Sequence, residues 1–136
     1  MNQLSLFDSQ DSLSPQAASL APKLRALADR GLFFGTSSWK YEGWLGTVYD
    51  PTKYETRGKL SIRKFETECL REYERVFPVV GGDFSFYQFP SAGFWKTLFE
   101  AAGPALRFGL KVPEEVTVPQ WPRHARYGAR AGKINE

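Results

Sequence analysis

Two charged residues carry the sharpest chemical suggestion in this chain. Asp83 follows the apolar run Val79-Val80-Gly81-Gly82, and Lys111 stands near the end of the alternating stretch from Ala105 to Val112. A carboxylate beside an ammonium group can move a proton or orient an anion, and the lysine can polarise a carbonyl or phosphate oxygen. The same two groups would also make sense as a structural ion pair satisfying two inward charges. A second set is aromatic. Trp39, Tyr41, Trp44 and Tyr87 could line a pocket whose flat walls suit a sugar ring or a base. The competing reading is that the loop bearing the first three folds down as a plug of core. A third set is basic: Arg123, Arg126 and Arg130, with Lys133, would hold a phosphate or a nucleic acid if one loop gathered them, and would otherwise be a solvated loop.

Other chemistries find no support. Cys69 is the single cysteine and His124 the single histidine, too few for a zinc cluster, so no metal site is expected. Cys69 falls on the apolar stripe of a helix and reads as core. Gly58-Lys59-Leu60 lacks the upstream glycine and the Ser/Thr of a phosphate-binding P-loop, and no cofactor is assigned.

The elements that must position these groups follow from patterning. Residues 1–14 are polar, Ser-rich and aperiodic, and read as a flexible tail. Ser14-Pro15 starts a helix that Pro22 interrupts and that ends at Gly31. Leu32-Phe33-Phe34-Gly35-Thr36 is a short apolar run ended by small polar residues, as in a buried strand. A long loop, 37–57, follows. Ile62, Phe65, Cys69, Tyr73, Val76 and Phe77 then recur at steps of three and four, a helical stripe ended by Pro78. Val79 to Phe84 is a second strand, Ser91 caps a second helix through Ala102, and 105–112 is a third strand with Leu106, Phe108, Leu110 and Val112 on one face. Glu114-Glu115, after Pro113, form the first turn of a further helix, where acids suit the dipole.

Strand, helix, strand, helix, strand makes two βαβ units and hence a parallel sheet. Continued alternation along the second strand puts Asp83, Ser85 and Tyr87 on one side; on the third, Arg107, Gly109 and Lys111 oppose the apolar face. Asp83 and Lys111 then meet at the carboxyl ends of neighbouring strands, where a barrel keeps its functional groups. Three parallel strands leave two bare edges, so the fold expected is α/β: the N-terminal portion, about three strand–helix units, of a TIM-type (β/α)8 barrel, the competing reading being a complete small α/β domain with a disordered C-terminus. The organisation expected is 1–31 as tail plus short helix and 32–136 as partial barrel, with a basic segment at 121–136.

Composition agrees with a folded, water-exposed chain. Of 136 residues, 42% are hydrophobic and 24% charged, which excludes wholesale disorder. The net charge of +3 arises entirely after residue 120, so the body lacks a nucleic-acid-sized footprint. No run approaches the roughly 18 apolar residues of a membrane span, and the N-terminus lacks a signal-peptide pattern. A cytoplasmic protein without membrane contact is expected.

Several segments carry a resemblance. Gly35-Thr36-Ser37-Ser38-Trp39-Lys40-Tyr41 followed by Trp44, Gly46 and Tyr49, then Leu70-x-x-Tyr73 with Phe77, Phe86-Tyr87-x-x-Pro90-Ser91 and Phe108-x-x-Lys111-x-Pro113, together resemble the YecE-like family, domain of unknown function 72. The resemblance covers residues 32–118 and implies a TIM-type barrel, but no reaction. Two departures matter. The family's Val-Glu-x-Asn is Val80-Gly81-Gly82-Asp83 here, and its Ile-Thr-His is Val116-Thr117-Val118, so chemistry through that Glu and His does not transfer. Separately, Gln3-Leu4-Ser5-Leu6-Phe7 resembles the peptide by which bacterial proteins dock on the DNA sliding clamp, with Leu6 and Phe7 as apolar anchors and Gln3 hydrogen-bonding at the pocket edge; the competing reading is that Leu4, Leu6 and Phe7 pack back on the barrel. The functions implied are an enzyme acting on a small or phosphorylated ligand at the barrel mouth, a clamp-docked protein of replication or repair, or a binding barrel without turnover.

Overall fold

The computed structural model describes residues 13–135. Helix α1 (Pro15–Ala28) starts where the sequence places it. Ser14 Oγ accepts from the Ala17 amide at 3.1 Å, and Pro15 fills the first position, where no N–H is needed. The interruption expected at Pro22 does not occur: the helix runs straight through it. Proline forfeits one hydrogen bond, but Ala17, Ala21 and Leu24, on both sides of it, are buried in the core and hold the turns in place.

The sheet has strand order β1-β4-β5, all parallel, from β1 (Gly35–Thr36), β4 (Val79–Gly82) and β5 (Arg107–Leu110). Helix α2 (Ile62–Glu74) connects β1 to β4, and α4 (Ala92–Ala101) connects β4 to β5, so the two βαβ units stand. Ser61 and Ser91 cap these helices by accepting from the amides of Lys64 and Phe94.

Three strand expectations need correction. Only Gly35 and Thr36 of the run 32–36 pair, and Leu32 and Phe34 lie on the surface. Gly35 pairs with Val79, so Phe34 would fall opposite Pro78, which has no N–H to offer. The second strand stops at Gly82, and Phe84–Tyr87 form a helical turn, α3, instead of continuing the alternation. Ser85 is consequently buried, its hydroxyl donating to the Lys111 carbonyl at 2.7 Å. Of the third expected strand, 105–112, only Arg107–Leu110 pairs; Leu106 is buried as expected, but Leu110 and Val112, assigned to the same packed face, are exposed.

The loop 37–57 is more ordered than its sequence suggests. It contains 3-10 turns Glu42–Trp44 and Pro51–Tyr54. Strand β2 (Glu55–Thr56) then pairs antiparallel with β3 (Lys59–Leu60). Arg57 and Gly58 join them, both at positive φ as a tight two-residue hairpin turn demands. The core lies between these turns, α2 and the sheet: Tyr49, Phe65, Cys69, Tyr73 and Val80 are fully buried, with Tyr49, Tyr54 and Phe65 meeting edge to face. Glu114 begins α5 (Glu114–Thr117), as the sequence predicts. Among the described residues no helix is long and apolar enough to cross a membrane.

Candidate functional site

The carboxyl ends of the three parallel strands bring Thr36, Asp83 and Lys111 to one edge of the sheet. Tyr73 of α2 fastens the β1 end. Its hydroxyl accepts from the Thr36 amide at 3.0 Å and donates to the Val79 carbonyl at 2.9 Å, and burial raises its pKa. Gly35 lets β1 come this close, since a Cβ there would run into the Val79 carbonyl oxygen. At the β5 end, the Lys111 amide donates to the Gly82 carbonyl, and Ser85 holds the Lys111 carbonyl. Backbone positions on both sides of the site are therefore fixed.

On this frame Lys111 Nζ lies 3.3 Å from Asp83 Oδ2, so the two residues singled out in the sequence do meet. Their side chains are 56% and 59% exposed. An ion pair so open to water is worth about 0–1 kcal/mol, too little to explain its place by stability, and an incoming anion can displace the carboxylate. Two positions earlier on each chain segment, Gly81 faces Gly109 in register. A Cβ on Gly81 would approach nothing closer than 3.4 Å, and one on Gly109 nothing closer than 3.9 Å. Among the described residues, the atoms nearest to these two positions are main-chain atoms, while the Phe86 ring lies beside the Lys111 ammonium, its centroid 5.7 Å from Nζ.

The predicted aromatic wall is divided. Trp39 is buried, and its ring meets Phe84 edge-on with centroids 6.2 Å apart. Tyr41 is exposed and packs against Trp44 at 5.2 Å, while Trp44 stacks on Phe77 at 5.9 Å and joins the core. Tyr87 closes α3. The loop thus supplies core through Trp39 and Trp44 and leaves Tyr41 in solvent.

The basic segment folds back on α5. Arg126 pairs with the buried Glu114 at 2.7 Å, and Tyr127 donates to the same oxygen at 2.9 Å. Arg130 reaches Glu115 at 3.8 Å and lies over the Trp121 ring. The main chain closes through the Gln120–Ile134 bridge, and Gly128 at positive φ breaks the turn Ala125–Arg130. Arg126 and Arg130 therefore clamp the segment to Glu114 and Glu115. Arg123 instead packs along Gly132. Gln3, Leu4, Leu6 and Phe7 lie outside the described residues.

The sequence reading missed one buried charge. Glu72 on α2 accepts from the Tyr54 hydroxyl at 2.7 Å and the Asp50 amide at 3.2 Å and pairs with Lys53 at 3.1 Å. Its place three residues after Cys69 and four before Val76, on the apolar stripe, was the available signal.

These features define an α/β protein with a three-stranded parallel sheet and a solvent-open carboxylate–ammonium pair at the sheet's carboxyl edge. The chain belongs to the family described as "Protein of unknown function DUF72", whose profile matches residues 33–131. No curated protein and no solved structure matches the chain.

Proposed function

We propose that this chain binds a small phosphorylated or otherwise anionic ligand at the carboxyl edge of its parallel sheet. Lys111 takes the anion, and Asp83 orients the ligand or exchanges a proton with it. The observation that carries this reading is the contact between Asp83 and Lys111 at the ends of adjacent strands, both groups remaining more than half exposed. The missing Cβ atoms at Gly81 and Gly109, which pair in register, leave the main chain open to close approach by the rest of the ligand. The edge is one wall of a mouth in a TIM-type barrel. Exposed Leu110 and Val112, and the outer edges of β1 and β5, unpaired among the described residues, support further strand–helix units completing that barrel. Calorimetric titration with inorganic phosphate and with ribose 5-phosphate tests the reading. Lys111→Ala should remove binding and leave the melting temperature within about 3 °C of the parent protein. Unchanged binding, or strong destabilisation by both Lys111→Ala and Asp83→Asn, would show the pair to be structural.

A second reading rests on Gln3-Leu4-Ser5-Leu6-Phe7: docking on a DNA sliding clamp, with the folded part as its effector. A peptide of residues 1–12 should bind purified clamp with micromolar-scale affinity, about −8 kcal/mol. Equal binding by the Leu6→Ala, Phe7→Ala double variant would remove the case.

A further inference from the structure

The two crossover helices face each other with the same spacing. On α2 the facing positions are Arg63, Glu66, Thr67 and Leu70; on α4 they are Phe94, Thr97, Leu98 and Ala101. Stripes at i, i+3, i+4 and i+7 normally interdigitate when helices pack. Here Thr67, Thr97 and Ala101 are too short to fill the space, and a cavity of about 260 Å³ opens between the helices. Leu70 and Leu98 form a buried floor, and the buried indole of Trp39 closes one side.

The rim is charged. Lys40 and Arg63 border the cavity, with Lys40 Nζ 5.8 Å from the Trp39 ring centroid, and both side chains are exposed. Among the described residues neither has an acid within ion-pair distance. Glu66 is the one acid on the rim, leaving it one positive charge in excess. An apolar slot walled by an indole and topped by two cations that lack an acidic partner is complementary to a ring with a negative head.

We infer that the cavity between α2 and α4 binds a small amphipathic anion, a mono- or bicyclic ring bearing a carboxylate. The ring enters against Trp39, Phe94 and the leucine floor, and the carboxylate is held by Lys40 and Arg63. This site is separate from the Asp83–Lys111 edge and does not depend on it.

The probe is 2-naphthoate, compared with the neutral 2-naphthalenemethanol by titration calorimetry on the full chain. The naphthoate should bind at least about tenfold more tightly than the alcohol. Lys40→Gln combined with Arg63→Gln should cost the naphthoate about tenfold and leave the alcohol unchanged. Ala101→Phe fills the slot and should abolish binding of both. Thr97→Phe, at the exposed rim, does the same should Ala101→Phe fail to fold. Lys96→Gln, outside the cavity, should change nothing. Full naphthoate affinity in the Lys40→Gln, Arg63→Gln variant or in a folded filling variant would overturn the proposal, as would no binding up to about 10 mM.

Discussion

Consider the removal of Glu72, the buried carboxylate of α2. It is 5% exposed and gathers the Tyr54 hydroxyl, the Asp50 amide and the Lys53 ammonium. Glu72→Ala deletes hydrogen bonds to a charged acceptor, worth about 1.5–3 kcal/mol each against water. It also strands the Tyr54 hydroxyl, which sits on a residue 2% exposed and would cost about 1–3 kcal/mol unpaired. The released desolvation cost of a buried charge offsets part of this, leaving a net loss of about 3 kcal/mol. For a domain of this size that lowers the melting temperature by roughly 10 °C, readable by circular dichroism. Tyr54→Phe leaves the carboxylate its other two partners and should cost about 1–2 kcal/mol. The double variant orphans no hydroxyl, so it should be less damaged than the two losses combined, with a coupling of about 1–2 kcal/mol. A Glu72→Ala melt within about 3 °C of the parent, or strict additivity in the cycle, would refute this account of how the 3-10 turn Pro51–Tyr54 is held to α2.

Two further outcomes follow from the same structure. Gly35→Ala drives a Cβ into the Val79 carbonyl, so β1 must separate from β4; fluorescence-monitored urea titration should show a loss of about 2 kcal/mol or more, whereas Gly109→Ala, whose Cβ would stand 3.9 Å from the Val80 carbonyl oxygen in ordinary contact, should be tolerated. Burial pushes the Cys69 thiol up to about 12, above its ordinary value of 9.0, so the folded state holds its proton longer than the unfolded chain. That stabilisation is whole below about pH 9 and is lost as pH rises toward 12, amounting to about 2–3 kcal/mol by pH 11. Burial raises Tyr49, Tyr54 and Tyr73 in the same direction, so the urea midpoint should fall steadily above pH 9, less steeply in Cys69→Ala.

Much of the frame was legible because its signals are local. The steps of three and four from Phe65 to Phe77, the serines at 61 and 91, and the prolines at 78 and 113 mark helices and their ends through hydrogen bonds within a few residues. The pairing of Asp83 with Lys111 was legible for a related reason, since consecutive parallel strands bring their carboxyl ends together. What failed to show depends on distant chain. Strand β1 is cut to two residues by Pro78, more than 40 positions on, and the helical turn at Phe84–Tyr87 is held by Ser85 reaching Lys111. Pro22 looks like a break only until the burial of Ala17 and Leu24 is known. The void between α2 and α4 is likewise invisible to periodicity, since each stripe reads as ordinary packing until the two are placed face to face.

The claim that the sheet's carboxyl edge is a ligand site is tested most directly by mapping backbone amide shifts while titrating the isotope-labelled chain with inorganic phosphate. The account predicts saturable shifts centred on residues 36–38, 81–85 and 109–112, absent in Lys111→Ala. Saturable shifts centred instead on the segment from Arg123 to Lys133, or no saturable shift at any residue, would contradict it.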